Sequence, residues 1–277
     1  MSQKVITHVD ADGNATVMLN RPEVHNAFDP EMVTALTTAL KTMEANAKVR
    51  SVVLLGAGGT FCAGADITHM KKSAQYTPKQ NRDAAMLTAR MLYTLHTLKK
   101  PTIACIRGAV RGGGCGLVAA CDIAIAARTA TFRLSEVKLG IIPAMISPYV
   151  IAAMGPRMAH RYMLTGEEFD AAEAYRIGFV HDIVEDPDLN GRVGMMLAQI
   201  YTSGPRAVLA VKELIPVSAH AAIGEDIVGE TARRIAEIRA TPEAQEGLSA
   251  FLEKRKPSWT EPPAAPSKPR KKTARRA

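Results

Sequence analysis

The chain has 277 residues, of which 47% are hydrophobic, so it can bury the core of one large domain or of a domain with an appendage. Aromatic residues make up only 5%, which argues against a stacking platform for single-stranded nucleic acid. No apolar run reaches the ~18 residues that a membrane-spanning helix needs, so we expect no membrane partner.

The net charge of +8 comes mainly from the C-terminal end of the chain, where residues 256–277 carry seven Lys or Arg and one Glu. Residues 260–277 are rich in Pro, Ala, Lys and Arg and lack the apolar residues of a core, which predicts a disordered basic tail. Such a tail can contact nucleic acid or acidic surfaces, but a solvated extension without a specific partner is the simpler interpretation.

The cysteines and the N-terminus indicate the compartment. All four cysteines lie in apolar or Gly-rich surroundings without a CxxC pair, which favours reduced thiols over disulfides or a zinc site. The N-terminal sequence MSQKVITHVDADG has neither the apolar region nor the cleavage site of a secretory signal. We therefore expect a cytoplasmic protein.

The first elements in chain order are a hairpin and a capped helix. Residues 3–9 and 14–20 are rich in β-forming residues and flank a DADG turn. Asp29 then predicts a helix N-cap, with Pro30 at the first helical position. The apolar residues of this helix fall on one face: Met32, Val33, Leu36, Leu40 and Met43.

Further strands and helices alternate after this helix. RSVVLLG, TIACI and CDIAIAA each predict a short buried strand, and a second amphipathic helix is expected at residues 80–98. A helix is also expected at CGLVAA, an extended stretch at residues 132–142, and helices from there to about residue 252. This order predicts an α/β core over residues 1–190 and a helical region over residues 191–259.

Two Gly-rich turns join strands to helices, at residues 58–66 and 111–117. Backbone N–H groups at such turns are unpaired, and a helix N-terminus adds partial positive charge. Placed side by side, the turns could aim two N–H groups at one oxygen and form an oxyanion hole. Tight strand–helix packing explains the glycines equally well. Neither turn matches GxGxxG or a phosphate-binding loop with its lysine.

One carboxylate is a candidate for proton transfer. Glu136 lies in the apolar sequence FRLSEVKLGIIPA, where burial would raise its pKa. Pairing of Glu136 with Lys138 or Arg133 on a solvated face is the alternative. Asp66 and Asp122 are interpreted first as caps.

Metal and nucleophile sites are weakly supported by the sequence. The seven histidines are scattered, so we expect no metal site. Cys62 and Cys115 stand at the glycine turns, but no histidine lies near them in sequence, and buried filler is the simpler role.

Taken together, several motifs resemble the crotonase superfamily, also called the enoyl-CoA hydratase/isomerase family, over residues 4–259. The most specific are LNRPEVHNAF, FCAGADI, RGGGCGLVAACDIAIAA and FRLSEVKLGIIPA. The resemblance implies a spiral core of ββα units and a helical C-terminal region that builds a homotrimer, often paired into a hexamer. It also implies an enzyme acting on an acyl-CoA thioester, with no cofactor beyond the coenzyme A of the substrate.

The resemblance also assigns site residues. Ala65 and Gly113 would donate their N–H groups to the thioester carbonyl, and Glu136 matches a family glutamate. Lys254, with Phe251, would reach the nucleotide of a neighbouring subunit. The acyl-CoA would contact Val24, Ala27, Ala63, Gly64, Asp66, Ile67, Gly112, Gly116 and Lys254.

One departure from the family pattern bears on mechanism. Two-carboxylate hydratases carry a second glutamate at the position of Gly116, and a glycine-rich run often stands where this chain has AMISPYV. Glu136 alone could activate water and return the proton, as in a hydratase, or move a proton between two carbons, as in an isomerase. A homologue that binds acyl-CoA or RNA with little catalysis is a third reading.

The finer resemblance is to the branch of methylglutaconyl-CoA and carboxygeranoyl-CoA hydratases, which act in leucine and acyclic terpene breakdown. It rests on LSEVKLGIIPAMISPYV. It favours the hydratase over the isomerase, and a substrate with a distal carboxylate would want a cation. Arg111 is the candidate for that cation, with an exposed loop arginine as the alternative.

Overall fold

The computed structural model describes residues 3–260, apart from the side chain of His220. Of the predicted basic tail, residues 260–277, all but Thr260 lie outside the described residues. Within the described range no helix combines the length and the apolar character that a bilayer crossing requires.

The described residues form nine strands and ten α-helices. In chain order the strands are β1 (Val5–Val9), β2 (Asn14–Leu19), β3 (Ser51–Gly56), β4 (Thr102–Ile106), β5 (Ala109–Arg111), β6 (Ile123–Ala127), β7 (Thr131–Arg133), β8 (Glu168–Asp170) and β9 (Asp182–Val184). The helices are α1 (Pro30–Ala45), α2 (Ile67–Ser73), α3 (Pro78–His96), α4 (Gly113–Ala120), α5 (Ser147–Thr165), α6 (Ala171–Arg176), α7 (Leu189–Thr202), α8 (Pro205–His220), α9 (Glu225–Arg239) and α10 (Pro242–Leu252).

The strands make two sheets. The larger has the order β1-β2-β3-β4-β6-β9, and the smaller has β5-β7-β8. Only the hairpin pair β1–β2 and the pair β7–β8 are antiparallel. Because β2, β3, β4 and β6 are parallel, the chain leaves all four at one edge of the sheet. The loops at residues 20–29 and 57–66 and the turn before α4 therefore gather at this carboxyl edge.

Helix α1 forms as the sequence predicts. The Asp29 carboxylate accepts a hydrogen bond of 2.7 Å from the Met32 N–H, and Pro30 occupies the first turn. All five predicted apolar residues of α1 are buried: Met32, Val33, Leu36, Leu40 and Met43. This buried stripe along one side of the helix packs α1 against the sheet and α3.

The extended stretch predicted at residues 132–142 is wrong. Strand β7 ends at Arg133, and a short 3-10 helix, Glu136–Leu139, follows. Gly140 ends that helix with a φ of 71°, and the Ile141 N–H donates back to the Glu136 carbonyl at 3.2 Å. Although the composition of this segment favours a strand, Gly140 ends a short helix here. Glu136 therefore lies in a 3-10 helix and not in a strand.

Other differences concern short elements. Helix α2 stands before the predicted second helix, which itself begins earlier, at Pro78. Strands β8 and β9 lie in the stretch where helical patterning dominates the sequence. Each of these strands has three residues, too few for the alternating pattern that reveals a strand in sequence.

The C-terminal helices follow the last strand. Helix α7 packs on β4 and β6, and its Leu189 and Val193 belong to a second buried cluster on this face of the sheet. Asp122 is not a cap, contrary to the prediction. Its carboxylate instead accepts hydrogen bonds from the Thr102 N–H and the Lys212 ammonium, which fixes α8 to the sheet. The division at residue 190 stays a prediction.

Candidate active site

The two glycine turns lie side by side at the carboxyl edge of the sheet. The Arg111 N–H donates to the Cys62 carbonyl at 2.9 Å, and the Cys62 N–H donates to the Ala109 carbonyl at 3.3 Å. A Cβ atom at Gly64 would lie 2.9 Å from the Arg111 carbonyl oxygen and 3.6 Å from the Gly113 nitrogen. Glycine at position 64, with its φ of +85°, is therefore what allows this close approach.

Ala65 in the first turn and Gly113 in the second each have a backbone N–H without a protein acceptor in the described chain. The Phe28 N–H donates to the Gly64 carbonyl and the Asp66 N–H donates to the Phe28 carbonyl, so the N–H of the intervening Ala65 faces away from this pairing. Gly113 is the first residue of α4, where a helical N–H has no intrahelical acceptor. In residues 3–260 neither N–H donates to another protein group.

Glu136 stands directly beside the second turn. Its Oε1 lies 3.2 Å from where a Cβ atom at Gly112 would be. Its Oε2 is buried, and no group of the described chain forms a hydrogen bond with it. Burial raises the pKa of the Glu136 carboxyl above its ordinary value.

The alternative role for Glu136 as a partner in a surface ion pair does not hold within the described chain. The Arg133 guanidinium donates instead to the Gly166 carbonyl at 2.7 Å. Lys138 is exposed and makes no ion pair with Glu136. A carboxyl group with one unpaired oxygen, near two unpaired N–H groups, is an arrangement that can stabilise a developing oxyanion and move a proton.

The predicted acyl-CoA contacts lie around these turns in part. Val24 and Ala27 lie in the loop that leads to Phe28, and Ala63, Gly64 and Ile67 lie in or next to the first turn. Ile67 is 71% exposed at the start of α2. Gly116 in α4 is buried beneath Ile146, whose Cγ2 atom lies 2.2 Å from where a Cβ atom at Gly116 would be.

Both oxygens of the Asp66 carboxylate accept hydrogen bonds within the chain. It caps α2 by accepting hydrogen bonds from the Thr68 and His69 N–H groups, and it pairs with Arg21 at 2.9 Å. The cap interpretation is confirmed. These bonds fix the start of α2 and, with it, the orientation of the first turn.

The segment that follows Lys254 leads to the other edge of the sheet. It continues to Trp259, whose carbonyl accepts a hydrogen bond from Arg50, just before β3. The first glycine turn follows the other end of β3, about 20 Å away for a six-residue strand. A surface cavity of about 700 Å³, lined by residues including Arg50 and Trp259, lies at the same amino edge and not at the glycine turns.

Three other candidate side chains have structural roles. Cys62 and Cys115 are buried, and burial raises the pKa of each thiol to about 12, so neither is a nucleophile at neutral pH. Arg111 pairs with Glu168 and donates to the Thr131 carbonyl at 2.9 Å, so its charge is satisfied within the small sheet. Among residues 3–260, no three His, Cys, Asp or Glu side chains cluster as metal ligands.

Comparison with known proteins identifies the family of the chain. The sequence model described as "Enoyl-CoA hydratase/isomerase" matches residues 11–262. The chain belongs to the enoyl-CoA hydratase/isomerase family. A short-chain-enoyl-CoA hydratase of Clostridium acetobutylicum is 32% identical over 244 residues, 87% of this chain and 92% of the relative.

Solved structures agree with this membership. An enoyl-CoA hydratase of Shewanella pealeana matches with a TM-score of 0.89 and 40% identity, over 92% of this chain and 96% of its own. The Pseudomonas aeruginosa protein AtuE matches with a TM-score of 0.89 and 36% identity, over 93% of this chain and 100% of its own. The chain is thus an enzyme of the enoyl-CoA hydratase/isomerase family with the crotonase fold.

Sequence reasoning missed two residues that shape the site. The Phe28 ring lies 2.9 Å from where a Cβ atom at Gly113 would be, and Ile146 covers Gly116. Phe28 stands in a recognisable motif and next to the helix cap at Asp29, so its position has a sequence signal. Ile146 has none, because its contact with α4 joins residues thirty positions apart.

Proposed function

We propose that this enzyme adds water across the 2,3-double bond of an enoyl-CoA, with Glu136 as the only carboxyl group that moves protons. The observation that carries the proposal is the buried, unpartnered Oε2 of Glu136 beside the turn that begins at Gly112. Leaving such an oxygen unpaired is unfavourable for folding, which is expected where a substrate or water completes the site.

In the proposed reaction the thioester oxygen accepts hydrogen bonds from the N–H groups of Ala65 and Gly113. Ionised Glu136 takes a proton from water while the water oxygen bonds to C3, and the π electrons move toward the thioester oxygen as an enolate. The N–H groups and the N-terminus of α4 stabilise that charge. Protonated Glu136 then donates the proton to C2, which restores the carboxylate and completes the addition of water.

Binding of the coenzyme A part is proposed for the surrounding loops. Its path would be lined by Val24, Ala27, Ala63 and Ile67, together with the backbone around Asp66. Since the segment after Lys254 leads to the opposite edge in one chain, we propose that Lys254 reaches the nucleotide bound by a second copy. This supports a homotrimer or hexamer, and no cofactor beyond the coenzyme A of the substrate is part of the proposal.

The substrate is proposed to be a branched enoyl-CoA such as 3-methylglutaconyl-CoA, on the strength of the resemblance of residues 134–150 to that branch. An isomerase is the second candidate function. A lone carboxyl favours it, because one group can move a proton between C4 and C2 of a 3-enoyl-CoA without water.

Purified full-length protein should be assayed with crotonyl-CoA, 3-methylglutaconyl-CoA and a 3-enoyl-CoA in ¹⁸O-labelled water. The hydratase proposal predicts a 3-hydroxyacyl-CoA that carries ¹⁸O at C3. A 2-enoyl-CoA product without label supports the isomerase instead. No turnover of any of the three, together with retained binding of acyl-CoA or RNA, would leave only a binding homologue.

A further inference from the structure

The N-terminal end of α4 lies close to both Glu136 and Ile146. The Oε1 of Glu136 lies 3.2 Å from where a Cβ atom at Gly112 would be, and the Cγ2 of Ile146 lies 2.2 Å from where one at Gly116 would be. Gly112 is the N-cap of α4, with a φ of 49°, and Gly116 follows four residues later, about 6 Å along the helix axis. The carboxyl group and the isoleucine therefore both lie against the N-terminal end of α4, about one helical turn apart.

Ile146 is held rigidly in this place. It is 2% exposed, and its Cβ atom, which no rotation of χ1 can move, also lies within 2.9 Å of the same point at Gly116. Leu92 approaches that point from α3 at 3.4 Å. The Val150 N–H donates to the Ile146 carbonyl at 3.0 Å, which ties the residue to the first turn of α5.

Glu136 and Ile146 also belong to one short segment. The 3-10 helix that starts at Glu136 leads through Gly140 to Ile146, which directly precedes α5. Two features of this segment thus face α4 one helical turn apart: a carboxyl group and a β-branched apolar side chain. The isoleucine, with Leu92 of α3, occupies the space beside Gly116.

We propose that Ile146 is a specificity-determining residue that limits the size of the acyl group; this rests on the enoyl-CoA hydration proposed above. The thioester oxygen is placed at Gly113, and C3 must lie within reach of Glu136 beside Gly112. An acyl chain that continues from C3 along the first turn of α4, from Gly112 toward Gly116, meets the Ile146 side chain. The wild-type site therefore closes after a short chain, and a smaller residue at position 146 extends it.

The test compares Ile146→Ala and Ile146→Val with a matched control, Ile125→Val. Ile125 is equally buried, but it belongs to the cluster on the α7 face of the sheet. For each protein, kcat/KM is measured for crotonyl-CoA and for trans-2-octenoyl-CoA. One methylene in an apolar pocket changes kcat/KM by about tenfold or more, so the octenoyl-to-crotonyl ratio should rise at least about tenfold in Ile146→Ala and less in Ile146→Val. The control should keep the wild-type ratio.

The binding of saturated butyryl-CoA and octanoyl-CoA, measured as Kd by calorimetry, gives the same comparison without turnover. The role of Ile146 is overturned if Ile146→Val and Ile146→Ala both keep the wild-type ratios, namely the Kd ratio of octanoyl-CoA to butyryl-CoA and the kcat/KM ratio of octenoyl-CoA to crotonyl-CoA. This holds even if all proteins hydrate crotonyl-CoA. If wild type hydrates nothing, the proposed function fails while the Kd ratios still decide the inference. If Ile146→Ala does not fold, Ile146→Val decides it, with a ratio above about threefold as support.

Discussion

Replacing Gly116 by alanine tests the contact between α4 and Ile146. The new Cβ atom would lie 2.2 Å from Cγ2 and 2.9 Å from Cβ of Ile146, so one of the two elements must shift. Overpacking of this kind costs about 1–3 kcal/mol, whereas glycine to alanine inside a helix gains up to about 1 kcal/mol. We expect Gly116→Ala to lower the free energy of unfolding by up to about 2 kcal/mol.

Gly194→Ala is the matched control. Gly194 also lies inside a helix, α7, but a Cβ atom there would meet nothing within 4 Å. The propensity gain is common to both variants, so their unfolding free energies should differ by the overpacking cost alone, about 1–3 kcal/mol. At about 2–4 °C per kcal/mol, thermal unfolding should separate the two midpoints by about 2–12 °C.

A double-mutant cycle with Ile146→Ala identifies the partner. Removing Cγ2 should make Gly116→Ala less destabilising by about 0.5–3 kcal/mol, since contacting residues are coupled. Equal midpoints for Gly116→Ala and Gly194→Ala, or a cycle with no coupling, would refute the packing described for Ile146.

Three further predictions concern the turns, the carboxyl group and the thiols. Gly64→Ala, at a φ of +85° and 2.9 Å from the Arg111 carbonyl, should separate the two turns and lower kcat, which steady-state hydration kinetics would detect. Burial raises the folded-state pKa of Glu136, so the contribution of this carboxyl to the free energy of unfolding is fully present below the unfolded pKa of about 4.3 and is lost as pH rises through the folded pKa. The free energy of unfolding of Glu136→Gln, measured with denaturant, should therefore increase relative to that of wild type from pH 4 to pH 8. Cys62 and Cys115, with thiol pKa values raised to about 12, should resist iodoacetamide until the protein unfolds, as mass spectrometry of labelled peptides would show.

The sequence predicts local features well, because the physics that determines them is local. Asp29 and Pro30 mark the start of α1, the apolar runs mark β3, β4 and β6, and the glycines mark both turns. The burial of Glu136 is also expected from its apolar neighbours. The extended conformation predicted around it is wrong because Gly140, in the left-handed region, closes a turn that composition does not reveal.

Long-range contacts account for the rest. Sequence alone identifies Gly116 as a position without the expected carboxylate, but not what occupies the space beside it. Only the fold brings Ile146 onto α4, and only the fold shows that Arg111 is already paired with Glu168 and that Asp122 holds Lys212. Each of these contacts depends on how separate elements pack.

The most direct test of the role of Glu136 is the hydration rate of Glu136→Gln at saturating crotonyl-CoA, compared with the rates of wild type and Glu185→Gln. Glu185 is a carboxylate that is 61% exposed and paired with Arg128, so its loss should leave the rate unchanged. If Glu136 moves both protons, Glu136→Gln binds the acyl-CoA with a similar Kd but hydrates it about 100-fold or more slowly, because that is the usual contribution of a positioned acid–base group. Hydration by Glu136→Gln at the wild-type rate would contradict the assignment of Glu136 as the carboxyl that moves both protons.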